Sequence, residues 1–505
     1  MFTTINLFII GAYILSVILI GYFASRKQSN ESFLISERKL GIFSGVSTIN
    51  ATKTGAIIFV FTALLYEYGF SAMWYFIGII LGYLVFLPFA KSLFSKSNAK
   101  YYTLADYFHE NYGVLSGRIA SAITIFIMVG FLIINLIAAA KVLEFFAGIN
   151  FTLATIIIAV VVMLYLLLAG FSAVVKTDVL QYLAVISILA IFAFVLSGMV
   201  DIPTNEWNLI AAGSGNIFGF LLIGLLFPFA SPDLWQRVYA MPNQNTLRKS
   251  IIYSIIVFTI VAFILTLVGL FVKTAMPNID PDTALIRGLS ALLPVGFVGL
   301  EVVIFFGALM SSIDTYAYTA SSAFVQDFFK KLPKEKVISR IRISIASIIL
   351  ISTTISIFLQ NLIQASFIFA AFVVVLAVPT IITWIRPSIK RRTLNSTFII
   401  GTALLIVFII LGLTQNNLTP TIVIKGIAGS LIGLVVGFVY SKFSKENLES
   451  PPISLSLILT ISVIAPIWTS RNLSVRQSSI LLAPEPASSP ARAIFSALEA
   501  CHHGQ

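Results

Sequence analysis

A single cysteine, Cys501, stands among 505 residues, so the chain forms no internal disulfide and no thiolate metal cluster. Histidine is almost as scarce, with three in all, two of them at positions 502 and 503. A histidine-based metal site or a catalytic triad has little to draw on. Charge is the third shortage. Asp, Glu, Lys and Arg make up 10% of the residues, against about 25% in a soluble domain. That is too little polar surface to cover the roughly three cores that a soluble chain of this length would build. What fills the chain instead is apolar: 58% of residues are hydrophobic and the mean hydropathy is +1.00. This is the composition of a polytopic membrane protein, with the lipid bilayer as its solvent. The net charge of +12 would suggest nucleic acid as the partner of a soluble protein. Here the basic residues sit in short loops between apolar runs, as the positive-inside rule requires, and nucleic acid is not an expected partner.

Spans of about 20 apolar residues are predicted at 4–24, 44–66, 71–93, 116–146, 150–169, 172–199, 213–231, 249–273, 294–326, 339–358, 361–385, 396–414 and 420–441. A fourteenth, at 453–468, is short and carries Pro466. Arg26 and Lys27 follow the first run, which reads as a retained helix and not as the core of a cleaved signal. Loop charge alternates along this register. Arg26, Lys27, Arg38 and Lys39 fall on one side with Lys91, Lys96, Lys100 and Arg118. Arg237, Arg248 and Lys249 join them, as do Lys330, Lys331, Lys334, Lys336, Arg386, Lys390, Arg391, Arg392, Lys442 and Lys445. The opposite loops carry Glu67, Asp201, Glu206, Asp280 and Asp282. A cytoplasmic basic side puts the N-terminus outside a cell-membrane protein. Residues 469–505, rich in Ser, Pro and Ala, read as a disordered tail.

Several spans carry groups that lipid tolerates poorly. Residues 46–55 read Val-Ser-Thr-Ile-Asn-Ala-Thr-Lys-Thr-Gly, with Lys53 about half-way along an otherwise apolar segment. A mid-membrane lysine costs roughly 3 kcal/mol on insertion scales and needs a partner or a wet cavity. Either this is a span end from which Lys53 snorkels, or the helix is broken and its freed carbonyls line a cavity and bind a cation. In the ninth span Ser311 shares a helix face with Asp314 and Thr315, and Ser312 adjoins it. Hydroxyls and a carboxylate are hard ligands for a hard cation; hydroxyls also pack helices together. In the stretch 169–181, Lys176 is expected to reach the interface, and the deeper Asp178 is a salt-bridge partner or a cation ligand. The seventh span, with Gly213, Gly215, Gly219, Gly224 and Pro228, is a second interrupted helix five spans after the first. Broken helices in corresponding positions of two halves point to an inverted-repeat transporter with its site at the midplane. The spans offer no nucleophile–base pair, and the chain does not read as an enzyme.

Five stretches together resemble the sodium/solute symporter family, which includes sodium-coupled proline, sugar and sialic acid carriers. They are Ser36 through Gly55; Ala169 to Gln181, similar to that family's Gly-Gly…Thr-Asp…Gln signature; Pro232 to Arg237; Met310 through Asp327; and Thr103 to Phe108. The match spans residues 1–445. The resemblance implies an all-α polytopic protein with a LeuT-like five-plus-five inverted repeat, one extra N-terminal helix and two or three extra C-terminal helices. The implied segments are 1–43 for the extra helix and its cytoplasmic loop, 44–199 and 200–393 for the repeats, and 394–468 for the C-terminal helices. The implied function is secondary active transport: sodium-coupled symport of a small organic solute by alternating access. Na+ is the co-transported ion, with no organic cofactor and no obligatory protein partner. The family's main sodium site maps onto Ala51, Thr54, Ala308, Ser311 and Ser312, whose oxygens at roughly 2.4 Å suit such an ion. A second cation site, present in some members, maps onto Asp178, Asp314 and Thr315.

Lys53 departs from the family, whose members often have an acidic or neutral residue there. An ammonium beside a sodium site repels the ion. Three outcomes stay open. Lys53 pairs with Asp178 or Asp314 and leaves the main site working; it binds a substrate carboxylate; or it stands in for a cation, making transport proton-driven or uncoupled. The solute site is expected between spans two, four, seven and eleven, with Thr52, Lys53, Gly55, Asn135, Phe218, Phe220 and Gln364 as candidate contacts. Lys141 is expected to snorkel at the outer end. A transporter-like sensor module is the alternative from another class. A channel is disfavoured, since no filter-like repeat or charged ring appears.

Overall fold

The computed structural model describes residues 4–25, 30–97, 100–167, 171, 174–183, 185–186, 202–292, 298–329 and 333–443. Among these the regular structure is entirely helical. Helix α1 (Thr4–Ser25) covers the predicted first span, and α2 (Asn30–Ile35) is a short helix after it. A first block comprises α3 (Ile42–Lys53), α4 (Ala56–Tyr68), α5 (Met73–Ser97), α6 (Leu104–Tyr112), α7 (Val114–Ala147), α8 (Phe151–Leu166) and a helical stretch, α9, at 174–183. A second comprises α10 (Gly213–Leu226), α11 (Pro232–Ala240), α12 (Gln244–Ala275), α13 (Ala284–Leu292), α14 (Val298–Phe328), α15 (Lys334–Leu359) and α16 (Leu362–Ile385). Two further helices follow, α17 (Arg391–Thr414) and α18 (Ile422–Phe443). Nine helical segments among the described residues are long and apolar enough to cross a membrane, Ala56–Ser97 counting as one. The predicted sixth span is described only in part. The predicted fourteenth span and the tail lie outside the described residues.

Spans two and seven are both broken. Helix α3 ends at Lys53, where Thr54 (φ −94°, ψ 6°) and Gly55 (φ −63°, ψ −121°) leave the helical path. Local chemistry favours the break. Thr52 Oγ1 and Asn50 Nδ2 donate to carbonyls one turn back, and Thr54 Oγ1 donates to Asn50 O and Ala51 O, so side chains compete with the backbone ladder. A partner on α7 restarts the helix: Asn135 Oδ1 accepts from Ala56 N–H at 2.8 Å, occupying a donor that the break frees. The second break lies slightly beyond the glycines that suggested it. Helix α10 runs to Leu226, a single 3-10 turn covers Phe227–Ala230, Ser231 is extended, and Pro232 takes the first position of α11, where its missing N–H costs nothing.

The core is built on α7, α14 and α16, the most deeply buried spans. Helix α5 packs on α10 with backbones in contact. A Cβ on Gly78 or Gly82 would strike Leu221 O or Leu225 O, and one on Gly224 would strike Tyr75 O and Ile79 N. Only glycine allows that approach.

Candidate functional site

Where α3 gives out, α14 passes beside it. Ser311 Oγ lies 2.8 Å from Ala308 O on its own helix and 3.0 Å from Ala51 O on α3. One residue along, Ser312 Oγ donates to Thr52 O at 2.9 Å, and Tyr316 Oη donates to the same carbonyl at 3.1 Å. Thr54 caps the turn that presents Ala51. Gly55 permits the approach, because a Cβ there would collide with Ser312 Oγ. Ala51, Thr54, Ala308, Ser311 and Ser312 are all buried. The structure therefore brings the five residues of the expected main site to one break. Their donor set is carbonyl and hydroxyl oxygens, uncharged and hard, which fits a monovalent hard cation.

A buried charge cluster adjoins this break. Lys53 Nζ donates to Ser231 Oγ at 2.7 Å and pairs with Asp233 Oδ2 at 2.8 Å, with both side chains withdrawn from solvent (4% and 1% exposed). Of the partners foreseen for Lys53, neither Asp178 nor Asp314 is the one; Asp233, across the second break, is. Arg237 corrects a second expectation. Its place in the register of basic loop residues suggested solvent, yet its side chain is fully buried. Its guanidinium donates to Thr52 Oγ1 (2.7 Å), Thr48 Oγ1 (3.0 Å), Thr315 Oγ1 (3.1 Å), Asp233 O (3.0 Å) and Asp178 Oδ2 (3.3 Å). Thr48 also donates a short hydrogen bond to Asp178. Of the expected second cation site, Asp178 and Thr315 thus meet around Arg237, while Asp314, buried on α14, lies outside the Arg237 set. Among the described residues Asp178 Oδ1 is buried with no hydrogen-bond partner.

Above the break lies a cavity of about 70 Å³ with a wall of aromatic rings. Phe131, Phe220, Phe227 and Tyr316 form much of that wall, with Asn135 and Ser366 as polar points. No charged side chain lines it among the described residues. Of the candidate solute contacts, Asn135 and Phe220 face this cavity. Thr52 turns to Arg237, and Lys53 stands behind Phe227, its Nζ 4.3 Å from the ring centroid. Gly55 is taken up by its contact with Ser312 and Asn135. Phe218 is 57% exposed on the outer surface of α10. Gln364 lines a separate polar vestibule of about 230 Å³ together with Glu67, Asp280, Asp282 and Asn416. Lys141 does not snorkel: it pairs with Asp280 (3.3 Å) and Asp282 (3.4 Å). The Asp282 carboxylate also accepts from Leu362 N–H and Ile363 N–H, capping α16. Burial raises the carboxyl pKa of Asp282, against the pull of Lys141.

Two of the sequence stretches that carried the family resemblance meet away from this centre. Thr103 caps α6 in a reciprocal box with Asp106, and its hydroxyl donates to Asp327 at 2.8 Å. Ser121 donates to the other oxygen of that carboxylate at 2.6 Å. The residues that sequence reasoning missed are Ser231, Asp233 as the lysine's partner, and Arg237 as a buried group. The available signal was the unmatched charge on Lys53, which demands an acid; the spacing along the chain does not say which.

Known proteins resemble this chain in sequence and in fold. The family model described as the sodium:solute symporter family matches residues 33–388. The osmoregulated proline transporter of Bacillus subtilis is 23% identical over 86% of this chain and 94% of that protein. The sodium/sialic acid symporter of Proteus mirabilis is 24% identical over 69% of this chain and 76% of that protein. Among solved structures, a Na+-coupled sialic acid symporter in a substrate-bound outward-open state superposes with a TM-score of 0.70 at 17% identity, covering 86% of this chain and 98% of that one. The nucleobase-cation-symport-1 family transporter Mhp1, in a closed conformation, gives 0.53 at 12% identity over 88% of this chain and 100% of that one.

Proposed function

The chain belongs to the sodium:solute symporter family, and from that premise we propose which of its residues carry the ion and accommodate the solute. It has the LeuT-like five-plus-five fold and is a multi-pass membrane protein that couples sodium to the movement of a small organic solute. One elementary charge crossing 100 mV gains about 2.3 kcal/mol, so each co-transported sodium contributes usefully to accumulation.

We assign the sodium to the oxygens of Ala51, Thr54, Ala308, Ser311 and Ser312. The observation that carries this is Ser311 Oγ, seated 3.0 Å and 2.8 Å from carbonyls of two different helices at a break. Sodium there replaces the hydroxyl-to-carbonyl hydrogen bonds with ion–oxygen contacts, the hydroxyls keeping their protons and turning them aside, and so bridges α3 and α14. Lys53 does not oppose it, because its charge is met by Asp233. That pairing also argues against Lys53 as the ligand of a solute carboxylate or as a replacement for sodium. The cation held by Asp178 in this conformation is Arg237, and we infer that one sodium moves per cycle. The solute occupies the aromatic cavity. Its 70 Å³ volume, about half that of a cavity that holds benzene, must widen to admit any organic solute, and a small solute requires less widening than a bulky one. The basic loops face the cytoplasm in this reading, in a cell membrane, with the N-terminus outside.

The test compares melting temperatures of the purified protein in sodium chloride and in choline chloride at equal ionic strength. A ligand bound only by the folded state adds RT ln(1 + [L]/Kd) to stability. We expect a sodium-specific rise that saturates with a Hill coefficient of one and vanishes in Ser311→Ala and Ser312→Ala. Proline added in sodium raises the midpoint further; sialic acid does not. Equal midpoints in both salts, at any concentration, would refute the ion site.

A further inference from the structure

Helices α3 and α11 are the two half-helices on the basic side of the molecule, and they run antiparallel. They are tied at three levels. Leu40 N–H donates to Ala240 O at 3.1 Å at one end. Arg237 donates to Thr48 and Thr52 midway. Lys53 meets Ser231 and Asp233 at the deep end. We propose that the deep tie is a charged latch: Lys53 with Asp233 and Ser231 shuts the passage between the solute cavity and the cytoplasm, and it parts when solute and ion leave on that side. This goes beyond the ion-site assignment but rests on the same orientation.

Three observations point to a gate and not to a fixed brace. The latch joins the free ends of the two half-helices, since Lys53 is the last residue of α3 and Asp233 stands in the first turn of α11. Both ends abut backbone breaks, where a segment can swing without disturbing a helical ladder. Next, Lys53 Nζ sits 4.3 Å from the Phe227 ring, and Phe227 lines the cavity. The ammonium therefore lies directly behind the cavity wall, and a solute pressing on Phe227 presses on the latch. Finally, the ion oxygens and the latch share one turn of α3. Ser312 and Tyr316 donate to Thr52 O, the residue before Lys53. An ion that fixes this turn holds Lys53 in register with Asp233, and its departure frees both. The pair is withdrawn from water, so its charges separate at tolerable cost only into an opening that hydrates them. An aqueous cytoplasmic passage is such an opening.

The test reads accessibility and needs no solute. Cys501 is replaced by serine, and Ala230→Cys is introduced at the break, where the native alanine is fully buried. Labelling by a membrane-impermeant maleimide is timed from the basic-loop face of sealed vesicles, in sodium and in choline. Lys53→Met is expected to speed labelling by about tenfold or more, the rise in open population that follows loss of one buried pair. The charge-keeping Lys53→Arg is expected to label at the parent's rate, because it still meets Asp233, whereas a charge swap would set a second cation beside Arg237. Unchanged labelling in a Lys53→Met protein that elutes and melts as a folded species overturns the latch. If Lys53→Met does not accumulate in the membrane, Asp233→Asn is read by the same criterion. Sodium slows labelling of the parent if the ion site is correct. Faster labelling in Lys53→Met with no sodium effect in the parent supports the latch and removes the ion assignment alone.

Discussion

Lys53 is tolerable in the membrane because Asp233 meets its charge at 2.8 Å, and Asp233, which also lies 4.0 Å from Arg237, draws most of its compensation from Lys53. Removing one member of a buried pair leaves an uncompensated charge and costs about 3–5 kcal/mol, whereas replacing both with apolar groups of similar size is often neutral. We therefore expect Lys53→Met and Asp233→Leu each to lower the melting midpoint sharply, and the double variant to be more stable than either. A double-mutant cycle on thermal unfolding measures this; additive losses would mean that the two charges are satisfied independently. The residue scale is also where the sequence was least informative. Lys53 was visibly out of place in an apolar run, and Ser311, Ser312 and Ala51 were reachable through the family's motifs. The partner was not reachable. Asp233 lies 180 positions away, and no periodicity connects residues that meet only through tertiary folding. Arg237 was hidden by a different cause. All nine residues of α11 are buried, but about half are polar, so hydropathy assigns them to a loop.

The helices whose apolar character is continuous were legible almost to their ends, because a span of about 20 apolar residues has few alternatives. What composition blurs is the half-helix. Mean hydropathy marks neither break; the first is read from the Ser, Thr, Asn and Lys of residues 46–55 and the second from the glycines and Pro228 of span seven, and α10 runs on to Leu226. Glycine marks something else at this scale. The contact of Gly78, Gly82 and Gly224 joins α5 to α10 backbone to backbone, so α10 moves with α5 and any swing of α11 is confined to residues 227–231. Gly224→Ala ordinarily gains about 1 kcal/mol of helix propensity. Here the added methyl meets Tyr75 O and Ile79 N, which cannot rotate aside. We expect a net loss of about 1–3 kcal/mol, the usual range for overpacking, read as a lower melting midpoint. A stabilised protein would mean that the two helices separate easily.

Taken as a whole, the molecule separates its charges by side. Most basic loop residues fall on one side of the predicted register and Glu67, Asp280 and Asp282 on the other, where Lys141 pairs with the two aspartates. This alternation is what the expected register of the spans rests on, because one missing span would reverse every later loop. It predicts that an epitope tag on the N-terminus is reached from outside intact cells, while a tag in the 386–392 loop is reached only after permeabilisation. The reverse pattern would invert the orientation, and with it the side on which the latch opens. The latch has a further consequence, in the order of synthesis. Lys53 reaches the membrane long before Asp233 exists. At about 5–20 residues per second, the 180 positions between them take roughly 10–40 s to make. For that interval the first half of the protein carries an unmatched ammonium, which the translocon, a lipid headgroup or water must accommodate. A chain stalled before residue 233 therefore keeps a mid-membrane ammonium, at a cost of roughly 3 kcal/mol, that Asp233 does not yet meet.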